Sequence, residues 1–486
     1  MTLHRDLLIG GKDLPATSGR TAEDVNPYSS QVYATVAAAG VEDVTRAVDA
    51  ADAAFADWAA LGPAQRRKIF LTAADLLEAR TDEAVRIMAG EVGGTRPWAM
   101  FNVGLAANIL REAAAAVTAP RGEVLSAQEE GALGLAVREP VGVVAAFSPW
   151  NAPVILGVRA VAAPLAAGNT VVMKPSEDAP IACGLFVADV LRDAGLPDGV
   201  LNVITNAPED AAVVAEALIA DERVRAVNFT GSTGVGRIIG VHAARHLKPA
   251  VLELGGKNSV IVLDDADVDY AVDAAVFSVF MNSGQICMSA DRILVHESLA
   301  EEFTAKFTAK TESLASGDPA DPHTVVGPLV TTDAARRVAA LVEDAVAKGA
   351  TVLTGGAAPE GAVHPATVLT DLPEDADLYH GEAFGPLAVI STFGTDDEAI
   401  AFANATEHGL TCGIITENGT HGLKVARRIR TGIVHINDQS VADEPNAPFG
   451  GFKASGYGRF GGRWGIEAFS NTRWVTLATQ QAHFPF

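Results

Sequence analysis

The sequence predicts an α/β protein built from two doubly wound α/β domains and a small β element. From Val141 to a helix beginning at Val235, apolar strand-like runs alternate with segments of helical period. A second alternating series starts near Ser259. Strands that alternate with helices imply parallel sheets covered on both faces. Two segments fit neither series: polar, glycine-rich Arg121 to Val137, and Thr472 to Ala478, which reads as a separate strand.

Before the first series, Val41 to Ala60 and Ala64 to Ala79 carry alanine-rich, helix-period patterns, followed by more helical sequence to about Val117. These are expected to be scaffold helices. The first series then reads as strand Val141 to Phe147, helix from Val154, strand Thr170 to Met173, helix from Ala179 and strand Val200 to Ile204. A helix near Ala211, strand Val224 to Phe229 and the helix from Val235 complete it. The second series has expected strands at Val260 to Leu263, Arg292 to Val295, Leu387 to Thr392, Thr411 to Ile415 and Ile433 to Ile436. Val141 to Val158 carries no charge and reaches the length of a membrane span, but Pro149, Asn151 and Pro153 interrupt it. A buried strand followed by a loop is the better reading.

The chain has 486 residues, 49% hydrophobic and 20% charged, which suits a globular protein of two or three domains. A formal net charge of −24 would repel nucleic-acid phosphates and anionic membrane surfaces. Small molecules are the expected ligands. The first residues, Met1 to Asp6, lack the apolar run of a signal peptide, and three cysteines suggest no disulfide framework, so the expected compartment is a reducing cytoplasm.

Two short stretches point to chemistry. Glu253-Leu254-Gly255-Gly256-Lys257 offers a carboxylate, and Gly284-Gln285-Ile286-Cys287 offers a thiol after a glycine turn. A cysteine with a free pKa of about 8.5 is mostly un-ionised at neutral pH, so it needs a base to become a nucleophile. A nearby carboxylate can take that proton and can later activate water. Gly231-Ser232-Thr233-Gly234-Val235-Gly236 lies between an apolar strand and a helix, the setting of a dinucleotide-binding turn; the alternative is an ordinary glycine-rich turn. The spacing leaves two roles open for Glu253, because a ribose-binding acid is expected about 20 residues beyond such a turn. Cys183 and Cys412 sit in apolar segments and read as buried small hydrophobes. No His and Cys combination has metal-ligand spacing, so no catalytic metal is expected.

These motifs occur with Phe147-Ser148-Pro149-Trp150-Asn151, Lys174-Pro175-Ser176-Glu177, Glu382-Ala383-Phe384-Gly385-Pro386 and Pro448-Phe449-Gly450-Gly451-Phe452-Lys453. In that order, and over essentially the whole chain, they resemble the NAD(P)-dependent aldehyde dehydrogenase superfamily. The resemblance implies an aldehyde dehydrogenase-like fold: an NAD-binding domain at 1–119 and 141–252, a catalytic domain at 253–466, and an oligomerisation element at 120–140 and 467–486. The corresponding segments of that element pair between subunits in the family, implying a homodimer or homotetramer; local hairpins remain the alternative. The resemblance also implies roles for individual residues. Cys287 is the nucleophile, Glu253 the base, and Asn151 with the Cys287 backbone N–H the oxyanion hole. Lys174 and Glu177 would hold the adenosine ribose, Gly231, Ser232 and Gly236 the pyrophosphate turn, and Glu382 the nicotinamide ribose. Phe384 would pack on the nicotinamide, and Trp150 belongs to the same cofactor set. A carboxylate at Glu177 favours NAD over NADP, although Lys174 softens that preference. Relatives that pass the acyl group to coenzyme A generally lack the base, so a free carboxylic acid is the expected product.

The carboxy-terminal portion, from Asn437 through Pro445 and on to Gly456-Tyr457-Gly458-Arg459, is similar to the benzaldehyde, salicylaldehyde and vanillin dehydrogenase branch. That similarity implies an aromatic aldehyde substrate. Arg159 stands where many relatives place a large apolar residue, and it could donate to a ring substituent or stack on the ring; a solvated helix face or subunit contact is the alternative. Ile155, Met288 and Val441 are the other tunnel candidates, each of which could equally be core. Competing functions are oxidation of an aliphatic aldehyde or acidic semialdehyde, ester hydrolysis, and a non-catalytic structural role.

Overall fold

The computed structural model describes residues 3–127, 131–481 and 484–486. Parts of three expected segments, at 1–2, 128–130 and 482–483, lie outside the described residues. Two large sheets organise the chain. The first has eight strands in the order Gly456–Tyr457, Ala250–Glu253, Val224–Thr230, Val143–Ser148, Thr170–Pro175, Leu201–Val203, Leu7–Ile9 and Lys12–Leu14. Its five inner strands, from Ala250–Glu253 to Leu201–Val203, are parallel. Residues of Val143–Ser148 alternate between two cores. Val144 and Ala146 pack with the helices Pro63–Ala79, Arg96–Ala116 and Pro153–Ala167, while Val143, Ala145 and Phe147 pack with Val41–Ala60 and Ala211–Ala220. The period of two along a strand puts successive side chains on opposite faces, so a strand covered on both sides is apolar throughout.

The scaffold helices form where expected, at Val41–Ala60 and Pro63–Ala79, with Thr81–Val92 and Arg96–Ala116 continuing the run. Buried Val44, Ala47, Val48 and Ala51 give the first of these its apolar stripe. The helix expected from Ala179 begins instead as a π-helical turn, Ile181–Leu185, whose Ile181 and Ala182 N–H groups donate to buried Glu91 at 2.7 and 2.6 Å. No helix among the described residues is long and apolar enough to cross a membrane.

The second sheet runs Thr351–Thr354, Thr367–Thr370, Leu387–Phe393, Ala290–His296, Asn258–Val262, Cys412–Ile415 and His435–Ile436. Only its first pair is antiparallel. Gly456–Tyr457 does not stay with this sheet. It pairs with Leu252 and Glu253 at the edge of the first one, so the span expected as one catalytic domain contributes a strand to its neighbour. Ser470–Leu477 pairs antiparallel with all of Leu133–Pro140, which also pairs with Gly122–Leu125. The two segments outside both series thus form one three-stranded sheet within the chain, and it presents Val124, Trp474 and Leu477 to the outside.

Candidate active site

The nucleophile loop is shaped by backbone that few residues tolerate. Helix Val268–Phe280 gives way to Met281–Gly284, where Asn282, Ser283 and Gly284 have φ of 49°, 56° and 72°. A side chain at Gly284 would collide with the Gly385 carbonyl, so glycine is required both by φ and by space. The Ser283 hydroxyl donates to the Gly327 carbonyl at 3.0 Å, and the Gln285 side-chain oxygen accepts from the Val330 N–H at 2.9 Å. Beyond the turn, the Cys287 carbonyl accepts from the Asn258 amide at 2.8 Å. Replacing Gly284 with Ala should displace the loop, at a backbone cost of about 1–3 kcal/mol before the collision is counted. A lower melting temperature together with a lower kcat is the expected result; unchanged values for both would refute this reading of the turn.

Glu253 ends the parallel strand Ala250–Glu253, and the N–H of Gly231, just past the neighbouring strand, donates to its carbonyl at 3.0 Å. Both motifs therefore open into one crevice at the carboxyl ends of adjacent strands, where α/β sheets bind ligands. Its carboxyl is buried, and neither oxygen has a hydrogen-bond partner. Burial drives its pKa well above the ordinary carboxylate value; Arg159 and Arg459 oppose the rise and Asp443 adds to it. The Cys287 thiol is pushed up to about 12 by burial and by the negative fields of Glu382 and Glu253, with Arg159 acting in the opposite direction. Passing a proton from Cys287 to Glu253 moves one negative charge from carboxylate to sulfur and leaves the net charge of the site unchanged.

Asn151 is tied to the same loop. Its side-chain NH₂ donates to the Gln285 carbonyl at 3.0 Å, and its own carbonyl accepts from Trp98 Nε1 at 3.1 Å and from the Asn282 amide at 2.9 Å. The NH₂ group carries a second N–H. Asn151, Glu253 and Cys287 line one open cavity of about 1070 Å³, so the structure brings the three expected catalytic residues together.

A second cavity, of about 1250 Å³, shares Pro149, Trp150, Thr230, Gly231 and Ser232 with the first, making a continuous groove. Lys174 and Glu177 line it, and the Lys174 ammonium and the Asn206 amide both donate to Glu177 Oε1, at 2.5 and 2.9 Å. Ser232 caps the helix Thr233–Arg245 by accepting from the Val235 N–H, leaving that helix start against the groove. Apolar Val235, Ile238 and Ile219 form another wall, which sequence patterning did not single out. At the other end Glu382 accepts from the Gly256 N–H at 3.2 Å, and its pKa is raised to about 7 by burial and by Asp291. Trp150 and Phe384 meet edge to face with ring centroids 5.6 Å apart. Among the described residues, the one His and acid cluster close enough to share a cation, Asp264, Asp265 and His421, lines neither cavity.

Several expected residues lie back from these cavities. Gly236 lines neither cavity; a side chain there would strike Leu254, so this glycine lets the helix pack on the segment after Glu253. Ile155, Met288 and Val441 are buried in the core and do not line the Cys287 cavity. Leu156 does, because one residue along a helix turns the side chain by roughly 100°. Phe449, Gln285, Ala334 and Arg337 also line it without having been assigned there. Arg159 is on no solvated face. It is buried, ion-paired through Nη2 with Asp443, and its guanidinium lies 4.3 Å from the Phe449 ring centroid. It lines a third and much smaller space, and Phe449 lines both that space and the Cys287 cavity.

Comparison with known proteins identifies the family. The signature of the aldehyde dehydrogenase family matches residues 14–475. The chain is 50% identical over 479 residues to vanillin dehydrogenase of Pseudomonas fluorescens, covering 99% of each protein. The crystal structure of salicylaldehyde dehydrogenase from Pseudomonas putida G7 complexed with salicylaldehyde superposes with a TM-score of 0.97 at 42% identity, over 100% of both chains. PnpE in complex with nicotinamide adenine dinucleotide gives 0.95 at 34% identity, over 99% of each. A match that spans nearly the whole sequence, on a fold whose crevice gathers Cys287, Glu253 and Asn151, places this chain in the aldehyde dehydrogenase family.

Proposed function

We propose that the protein oxidises aromatic aldehydes of the benzaldehyde, vanillin or salicylaldehyde type to carboxylic acids, with NAD as oxidant and a thioester on Cys287. The observation that carries the chemistry is the unpartnered, buried carboxyl of Glu253 in the same cavity as the Cys287 thiol. Support for the aromatic substrate comes from relatives named for vanillin and salicylaldehyde.

The groove suits a dinucleotide. Its polar lining combines donors, a helix start and the Lys174 ammonium, with the accepting carboxylates of Glu177 and Glu382, and the space a side chain at Gly255 would fill lies beside Glu382. Lys174 and Glu177 would hold the adenosine ribose, Gly231 and Ser232 the pyrophosphate, and Glu382 the nicotinamide ribose, with Trp150 and Phe384 flanking the ring. A 2′-phosphate would meet the Glu177 carboxylate, which favours NAD over NADP. Bound there, NAD supplies the hydride acceptor.

The chain's own residues do the rest. Glu253 takes the thiol proton, and the Cys287 sulfur forms a bond to the aldehyde carbon while the carbonyl oxygen becomes an alkoxide. The free N–H of Asn151 and the backbone N–H of Cys287 meet that charge. Once the carbon is oxidised to a thioester, Glu253 gives the thiol proton up to solvent and then removes a proton from water; hydroxide adds to the acyl carbon, the carbon–sulfur bond breaks to release the acid, and Glu253 returns its proton to the Cys287 thiolate. Asn151→Ala should lower kcat by about 10²–10³, or roughly 3–4 kcal/mol of transition-state stabilisation. A steady-state kcat within twofold of wild type would remove Asn151 from the mechanism.

Residues 1–119 with 141–252 would form the NAD-binding domain and 253–466 the catalytic domain. Residues 120–140 and 467–486 would form the oligomerisation element; its sheet of Gly122–Leu125, Leu133–Pro140 and Ser470–Leu477, with exposed Val124, Trp474 and Leu477, suits assembly into a homodimer or homotetramer. A reducing cytoplasm suits a nucleophile that must stay a free thiol. The test of substrate class is NADH formation with benzaldehyde, vanillin, salicylaldehyde, hexanal and succinate semialdehyde. Higher kcat/KM for the ring compounds supports the proposal, and a preference for hexanal or the semialdehyde overturns the aromatic reading.

A further inference from the structure

Arg159 looks at first like a receptor for an anionic substrate: a guanidinium buried one aromatic ring away from the Cys287 cavity. Its surroundings point the other way. Its Nη2 donates to Asp443, whose side chain is itself only 5% exposed, and the two come from segments 284 residues apart in sequence. The guanidinium is stacked at 4.3 Å from the centroid of Phe449, the one residue that walls both the Cys287 cavity and the cavity holding Arg159 and Asp443. Stacking and ion pairing together fix the plane of the guanidinium.

We propose that Asp443 is a specificity-determining residue that neutralises Arg159, so that the site accepts aldehydes with neutral ring oxygens and rejects aldehydes that carry a ring carboxylate. This rests on the aromatic reading above and deepens it. A guanidinium has five N–H donors, and the ion pair leaves others able to serve a hydroxyl or methoxy oxygen without any change in net charge. An incoming carboxylate would have to share Arg159 with Asp443. It would also add a negative charge to a region where Glu253, Glu382, Glu112 and Glu444 supply the other carboxylates and Arg337 and Arg459 the other cations. Selectivity of this kind comes from a repulsive element already in place against the wrong ligand.

The test compares benzaldehyde with its 3-carboxy and 4-carboxy derivatives, using the wild-type enzyme and Asp443→Asn. Wild type should oxidise the carboxybenzaldehydes with kcat/KM at least about tenfold below benzaldehyde, mainly through KM. Asp443→Asn keeps the shape and removes the charge, freeing Arg159; the ratio should move toward the carboxylated substrates by about tenfold or more. Arg159→Met combined with Asp443→Asn should lose that gain, a dependence that a merely structural Asp443 would not show. Equal wild-type use of benzaldehyde and its carboxylated forms overturns the proposal without requiring any variant to fold, and so does an unchanged ratio in active Asp443→Asn. Failure of wild type to oxidise benzaldehyde at all would instead sink the aromatic reading beneath it.

Discussion

Replacing Cys287 with Ala is expected to abolish NAD-dependent aldehyde oxidation, by at least about 10⁴-fold, while leaving NAD binding in place. No other sulfur can take over. Cys183 and Cys412 are fully buried in the sheet cores, the Cys183 thiol donates to the Ser148 carbonyl at 3.3 Å, and burial pushes both thiols up to about 12. Neither lines the groove. Loss of a nucleophile cannot be offset by the oxyanion donors, because without sulfur there is no tetrahedral alkoxide for them to stabilise. On the proposed reading cofactor affinity would depend on Lys174, Glu177 and Glu382, whose hydrogen bonds do not involve the thiol. Calorimetric NAD titration of the variant beside a kinetic assay separates the two effects. Residual turnover near the wild-type rate would refute the nucleophile assignment.

Glu253→Gln has the second largest expected effect, a fall in kcat of about 10²–10⁴, the range for removing a positioned base. The amide keeps the shape but can no longer accept a proton. Both halves of the reaction need that acceptor, and hydrolysis should suffer more, because a thiolate forms slowly at high pH without help while water does not become a useful nucleophile. The pH dependence follows from the sign of the shift. Burial raises the folded-state pKa of Glu253 well above 4.5, and the base is active only when ionised. Wild-type kcat should therefore rise with pH through that raised pKa, on a limb lying above the ordinary carboxylate range. Glu382, raised to about 7 by burial and by Asp291, is the other buried carboxyl in the groove, and the Gln variant separates the two. The Gln variant should lack the limb, and a variant profile superimposable on wild type would assign it to another group.

The longer inner strands of both sheets were legible because their apolar runs are bounded by glycine, proline and polar residues. Val224–Thr230 and Leu387–Phe393 lie within a residue of expectation. Shorter strands were not. Ala250–Glu253 has four residues, and Leu7–Ile9 and Lys12–Leu14 have three each, too few to show a period. The site divides along a similar line. Glu253, Cys287 and Asn151 sit in local motifs whose neighbours carry the signal, and they share a cavity. Gly236 belongs to an equally recognisable hexapeptide, yet spacing does not distinguish a glycine facing a ligand from one making room for Leu254. Which of Ile155 and Leu156 faces substrate depends on the rotation of Pro153–Ala167, set by packing on both sides. The Asp443 partner of Arg159 left no local trace at all, since the contact joins distant segments.

Mass spectrometry of Glu253→Gln, incubated with NAD and vanillin and then digested, tests the covalent chemistry most directly. If deacylation depends on Glu253, the aromatic acyl group should accumulate on the peptide containing Cys287, one per chain, and appear only when NAD is present. Acylation at another residue, or none while one equivalent of NADH forms per chain, would contradict a thioester at Cys287.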